Sequence, residues 1–152
     1  MKLGTKTRYS SRAMLDLALN YDNGSRIVST REIAEHQELS PKYLEYLLAA
    51  LRSAGLVRSV RGAEGGYTLT RHPAQINLRE IYHVFEGTEE FVECTNNPEY
   101  CNRTDGCATQ EIWAQMHDAC MEILESTTLE DLARRAREKR DEPQHLTQRI
   151  RS

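Results

Sequence analysis

The chain has 152 residues, enough for one domain or one small domain with appendages. A 39% hydrophobic share and a mean hydropathy of −0.67 put much of it at the surface. No apolar run approaches the ~18 residues of a membrane span, and MKLGTKTRYSSR lacks the apolar core of a secretory signal, which predicts a cytoplasmic protein with no membrane partner. The net charge of −3 conceals an asymmetry: residues 1–72 carry 11 basic against 7 acidic side chains, and residues 73–152 carry 9 against 16. A basic front joined to an acidic back suits a phosphate-facing module attached to something else.

In chain order, Tyr9, Ala13, Met14, Leu17, Ala18 and Tyr21 recur at three-and-four spacing, predicting a helix over 7–21 that Asn23-Gly24 ends. Ser29-Thr30-Arg31-Glu32 reads as a capping box opening a short helix, 30–37, that buries Ile33 and Ala34. Ser40 suits an N-cap and Pro41 a first turn, so a third helix follows. Its inward stripe is Tyr43 or Leu44, Leu47, Leu48 and Leu51, and Gly55 stops it. Residues 56–60 and 67–70 read as paired strands, with RGAEGG, Arg61 to Gly66, as the hairpin tip. Two short helices joined by a tight turn and followed by a hairpin describe a winged helix-turn-helix.

Asn77 to Glu80 forms another capping box for a helix reaching Phe85 and closed by Gly87. A cysteine-bearing loop follows. Next comes a longer helix, 108–125, with Ile112, Met116, Ala119, Cys120, Ile123 and Leu124 on one side; a last helix runs from Leu129, capped by Thr127-Thr128. The fold expected is mostly α with a small β-hairpin: a winged head over 1–72, a linking helix and cysteine loop over 73–107, dimerisation and C-terminal helices over 108–142, and a flexible tail over 143–152.

The third helix presents Lys42, Glu45, Tyr46 and Arg52 off its buried stripe. Lys42 suits a phosphate or guanine, Glu45 a cytosine amino group, and Ser40 and Tyr46 the backbone. Glu45 could equally pair with Arg52 or Lys42. Arg61, at the base of the hairpin tip, suits a narrow minor groove.

Cys94-x6-Cys101-x5-Cys107 places three thiols within fourteen positions. Structural zinc sites favour two-to-four-residue knuckles. Spacings of five and six suit a larger object such as an iron–sulfur cluster, against the alternatives of zinc or plain reduced thiols. Cys120 lies on an apolar stripe and reads as a small buried hydrophobe, and His117 as a surface residue. The chain shows no Ser/His/Asp set, no glycine-rich phosphate loop and no His/carboxylate metal motif, so neither an enzyme nor a small-molecule substrate is expected, and a metal-dependent enzyme or cluster carrier is the remotest reading.

With both motifs in place, residues 1–135 resemble the IscR/NsrR-type winged-helix transcription regulators. The resemblance is carried by MKLGTKTRYSSRAMLDLAL, by STREIAEHQELSPKYLEYLLAALRSAGLVRSVRGAEGGYTLTR and by the cysteine trio with its long helix. It implies a homodimer crossed by the long helix, binding of double-stranded DNA at inverted-repeat operators, and a cluster that senses iron–sulfur status, oxygen or nitric oxide. It assigns Cys94, Cys101 and Cys107 as cluster ligands, with 2Fe–2S favoured and 4Fe–4S the alternative. Arg61 matches the minor-groove arginine, and Ser40, Tyr43 and Glu45 match operator-contacting positions. The IscR-like branch is favoured, with two departures. Gln110 stands where that branch has a histidine, and Arg8 where the NsrR branch has an aspartate near the N-terminus. The fourth ligand therefore stays open, and a thiol switch or zinc site is the alternative to a cluster.

Overall fold

The computed structural model describes residues 3–87 and 92–141. The elements run α1 (Thr5–Leu19), α2 (Thr30–Gln37), α3 (Pro41–Ser53), β1 (Val57–Val60), β2 (Gly66–Leu69), α4 (Leu78–Glu86), α5 (Glu93–Asn96), α6 (Ala108–Ser126) and α7 (Leu129–Asp141). Three-residue 3-10 turns at Pro73–Gln75, Pro98–Tyr100 and Thr104–Gly106 link them. Among the described residues this makes seven helices and one antiparallel hairpin, the expected winged helix-turn-helix with a long C-terminal helix. The expected tail over 143–152 lies outside the described residues. No helix among the described residues is long and apolar enough to cross a membrane.

Local rules account for most boundaries. The Ser40 hydroxyl accepts from the Tyr43 N–H at 3.2 Å with Pro41 in the first turn, so α3 starts with two of its orphan donors answered or absent. Asn77 and Glu80 cap α4 reciprocally. At α2 only half of the expected box forms. Ser29 accepts from the Glu32 N–H at 3.1 Å, but the Glu32 carboxylate turns to Arg26, 3.6 Å away. Helix α1 begins earlier than its apolar spacing predicts. Gly4 brings no capping side chain, and Glu86 from the end of α4 serves instead, accepting from the Gly4 N–H at 2.9 Å and from the Thr7 hydroxyl at 2.5 Å. Tyr21 falls outside α1 and packs edge-on against the His72 ring.

One core joins these elements. Leu44, Leu47, Leu48 and Leu51 of α3 are fully buried, and all but Leu47 belong to a cluster with Ala13, Met14 and Leu17 of α1, Ile33 of α2 and Leu69 of β2. Each buried leucine contributes about 1.5–3 kcal/mol relative to an exposed one. Tyr43 is only half-buried, so the inward stripe starts at Leu44. Leu129 and Ala133 of α7 enter the same cluster beside Ile76 and Ile81. Leu78 N–H donates to the Thr127 carbonyl at 3.0 Å and Leu129 N–H to the Ile76 carbonyl at 2.9 Å, so the chain entering α7 is stitched to the chain entering α4. The hairpin pairs Val57 with Leu69 and Val60 with Gly66. Val28 also bridges Tyr67 through two hydrogen bonds, 2.8 and 3.0 Å. A Cβ on Gly66 would stand 2.1 Å from the Val28 carbonyl oxygen, so only glycine lets that segment cross the wing.

Candidate nucleic-acid interface and cysteine loop

Helix α3 projects Lys42, Glu45, Tyr46 and Arg52 outward, with Ser40 exposed at its cap and Tyr43 half-buried beside them. Among the described residues Glu45 makes no ion pair; it does not pair with Arg52, whose guanidinium donates instead to the Ser59 hydroxyl of β1 at 3.3 Å. That bond ties the outward face of α3 to the wing. Arg61 is exposed just beyond β1. Arg58, on the same strand, donates to the Gly24 carbonyl at 2.6 Å and anchors the hairpin to the turn after α1.

Sequence reasoning missed the contribution of α1. The Lys6 ammonium donates to the Tyr46 hydroxyl at 2.8 Å and lies 5.1 Å from that ring's centroid. This hydrogen bond raises the ammonium's pKa. Tyr46 stacks on Tyr43, with centroids 6.3 Å apart, and Tyr43 meets Tyr9 edge-on at 6.2 Å. Arg12 closes the row, 5.6 Å from the Tyr9 centroid, and is fixed through Gln37 by hydrogen bonds of 3.0 and 3.1 Å. The signal available in the sequence was Lys6-x2-Tyr9-x2-Arg12, a cation–aromatic–cation run at near-helical spacing.

The cysteine segment lies on short elements in succession. Cys94 is in α5, Cys101 caps the following 3-10 turn, and Cys107 is the N-cap of α6. Helix α5 packs on both that turn and α6. All three are half-buried, and none is in a disulfide. The Gln110 side-chain amide donates to the Cys94 carbonyl at 2.7 Å, fastening α5 to the first turn of α6. Its nitrogen is thereby committed, leaving only the amide oxygen as a donor towards a metal. The Cys107 thiol is held below its ordinary pKa, chiefly by the Thr109 hydroxyl 3.1 Å away and then by the Gln110 N–H. Exposed Tyr100 hydrogen-bonds Glu93, whose carboxylate raises the phenol's pKa.

The donor chemistry suits an iron–sulfur cluster: three soft thiols, none consumed by a disulfide, in a segment of turns. Among the described residues, however, no three His, Cys, Asp or Glu side chains are gathered closely enough to hold a single ion. Cys120, expected as a small buried hydrophobe, is half-buried near Tyr82. His117 is half-buried and lines a surface groove with Arg79 and Met121.

The Rrf2 family profile, described as an iron-dependent transcriptional regulator, matches residues 3–135. The HTH-type transcriptional regulator CymR of Bacillus subtilis is 43% identical over 133 residues, covering 88% of this chain and 90% of its own. A solved structure of CymR, described as the global cysteine regulator of B. subtilis, superposes with a TM-score of 0.76 at 41% identity, covering 89% of this chain and 98% of that one. The T. potens IscR structure gives a TM-score of 0.75 at 39% identity, covering 94% and 93%. These relatives are transcriptional regulators, not enzymes.

Proposed function

The chain belongs to the Rrf2 family of iron-dependent transcriptional regulators, and on that premise we propose that it binds inverted-repeat operators as a cytoplasmic homodimer controlled by an iron–sulfur cluster on Cys94, Cys101 and Cys107. The observation that carries this reading is the placement of three cysteines, none in a disulfide, on one run of short elements leading from the winged head into α6. Ser40, Lys42, Tyr43, Glu45, Tyr46 and Arg52 form the major-groove face, and Arg61 enters the minor groove. A bound cluster would supply a centre sensitive to oxidants, nitric oxide and iron supply. The protein's part is mechanical: Cys107 occupies the N-cap position of α6 and Gln110 clamps α5 to that helix, so a rearrangement of the loop is felt at the start of the long helix.

The test is anaerobic purification followed by visible absorption and assays of iron and acid-labile sulfide. The cluster reading expects a coloured protein containing both, and a colourless, still dimeric protein after Cys101→Ala. Zinc without sulfide, or three titratable thiols with no metal, would sink it. A second reading is favoured by the likeness to a protein described as a cysteine regulator. In it the same thiols act as a redox switch, and DNA binding responds to a thiol oxidant in metal-free protein.

A further inference from the structure

Six arginines of the described residues, Arg26, Arg31, Arg71, Arg79, Arg134 and Arg137, are paired with carboxylates. Lys6 and Arg12, like Arg8, Arg52 and Arg58, are instead held by neutral groups, here the Tyr46 hydroxyl and the Gln37 side chain and carbonyl. Their positions are ordered, yet among the described residues neither lies within ion-pair distance of a carboxylate, Glu86 acting on Lys6 only from farther away. Ordering a long cationic side chain before a partner arrives lowers the entropy cost of binding, and leaving it unpaired keeps its full attraction for an anion.

The neighbouring aromatic groups narrow the partner. Tyr46 is 53% exposed although it stacks on Tyr43. Because its oxygen accepts from Lys6, its own proton is free to be donated outward. Lys6 and Arg12 are six residues apart on α1, about 9 Å along the axis, or between two and three of the ~3.4 Å steps of one DNA strand. Tyr43 and Tyr46 come from α3, so this row of cations and hydroxyls borders the face that carries Lys42 and Glu45.

We infer that α1 is a second DNA-contacting element, in which Lys6 with the Tyr46 hydroxyl grips one backbone phosphate and Arg12 grips another beside the major groove read by α3. The inference rests on the regulator reading above and adds a sequence-independent clamp to it. A phosphate clamp positions the reading helix without selecting bases, so its loss weakens specific and random DNA alike.

The experiment measures binding of the full-length protein to a random-sequence duplex of about 30 base pairs, long enough for two half-sites, across a salt titration. The same titration is run on an operator selected from a random pool. Lys6→Ala and Arg12→Ala should each lower affinity about fourfold and reduce the slope of log K against log salt by about 0.9. Both effects should be equal on the two DNAs. Lys6→Arg should restore the slope. Tyr46→Phe should weaken binding with the slope unchanged, because it removes a neutral donor. Arg134→Ala, whose partners Asp131 and Glu138 already neutralise it, should change neither. Matching melting temperatures exclude misfolding. If the wild type binds DNA but the Lys6 and Arg12 variants keep its slope, the clamp is wrong and the regulator stands. A wild type that binds neither DNA at low salt removes the regulator reading itself.

Discussion

At the scale of single residues, charge placement decides more than charge number. Asp131 sits in the first turn of α7, where its carboxylate accepts from the Thr128 N–H at 3.0 Å and the Thr128 hydroxyl at 2.8 Å, while its own N–H donates back to that hydroxyl at 3.2 Å. These bonds, with Arg134 3.2 Å away, lower its pKa. A carboxylate with a lowered folded pKa adds stability that is complete above its unfolded value, about pH 4, and is lost as pH falls through the folded one. Thr128→Ala keeps the backbone N–H bond, the largest cause, but removes the hydroxyl bond, the second, and so moves Asp131 part of the way back towards its ordinary range. The variant should therefore be less stable than wild type at pH 6, and the gap should narrow as pH falls below about 4, towards pH ~2. Denaturant melts at the two values measure this; a difference that stays the same or widens on acidification would show that the Thr128–Asp131 cap is not the source.

At the scale of elements, the notable join is between the end of α4 and the start of α1. The Glu86 carboxylate caps a helix that has no cap of its own, 82 residues away in sequence from Gly4. A negative group at a helix N-terminus answers both its orphan N–H groups and its dipole. Glu86→Ala should cost about 1 kcal/mol and speed hydrogen exchange in the first turn of α1 more than in α3; equal protection throughout α1 would mean the contact is idle. This contact was not legible in the sequence, because a cap is readable only when supplied by a residue a few positions away. Ser40, Asn77 and the stripe Leu44, Leu47, Leu48 and Leu51 were legible for that reason: their geometry is local and periodic. The cysteine spacing was legible as chemistry but not as a shape, since no period relates Cys94 to Cys107. The Lys6–Tyr46 and Arg12–Gln37 contacts join helices that only tertiary folding brings together. Helix α6 shows the opposite limit. Its apolar period was plain, yet period alone does not say what covers it. Met121 is buried within the chain, while Ile112, Met116 and Ile123 remain 50%, 41% and 63% exposed.

At the scale of the whole molecule, that exposed stripe is where the proposed homodimer would set the spacing of its two reading heads. Ile112 and Ile123 are eleven residues apart, about three turns, so they share a face with Met116 between them. Trp113, 41% exposed, widens it. A single chain gains nothing from an apolar stripe in water, and a contiguous one marks an association surface. A second copy of α6 would cover it, which the inverted-repeat reading requires: two-fold protein symmetry matches two half-sites about one helical turn apart. Replacing Ile112 and Ile123 together by glutamate should therefore leave each chain folded, because neither side chain belongs to its core, but convert a dimer in sedimentation equilibrium into a monomer. Affinity for a paired operator should then fall by about 10²-fold or more, as the second head no longer binds intramolecularly, whereas affinity for an isolated half-site should change little. A variant that still sediments as a dimer at micromolar concentration would place the interface elsewhere, and with it the path from Cys107, at the head of α6, to the spacing of the two DNA-reading faces.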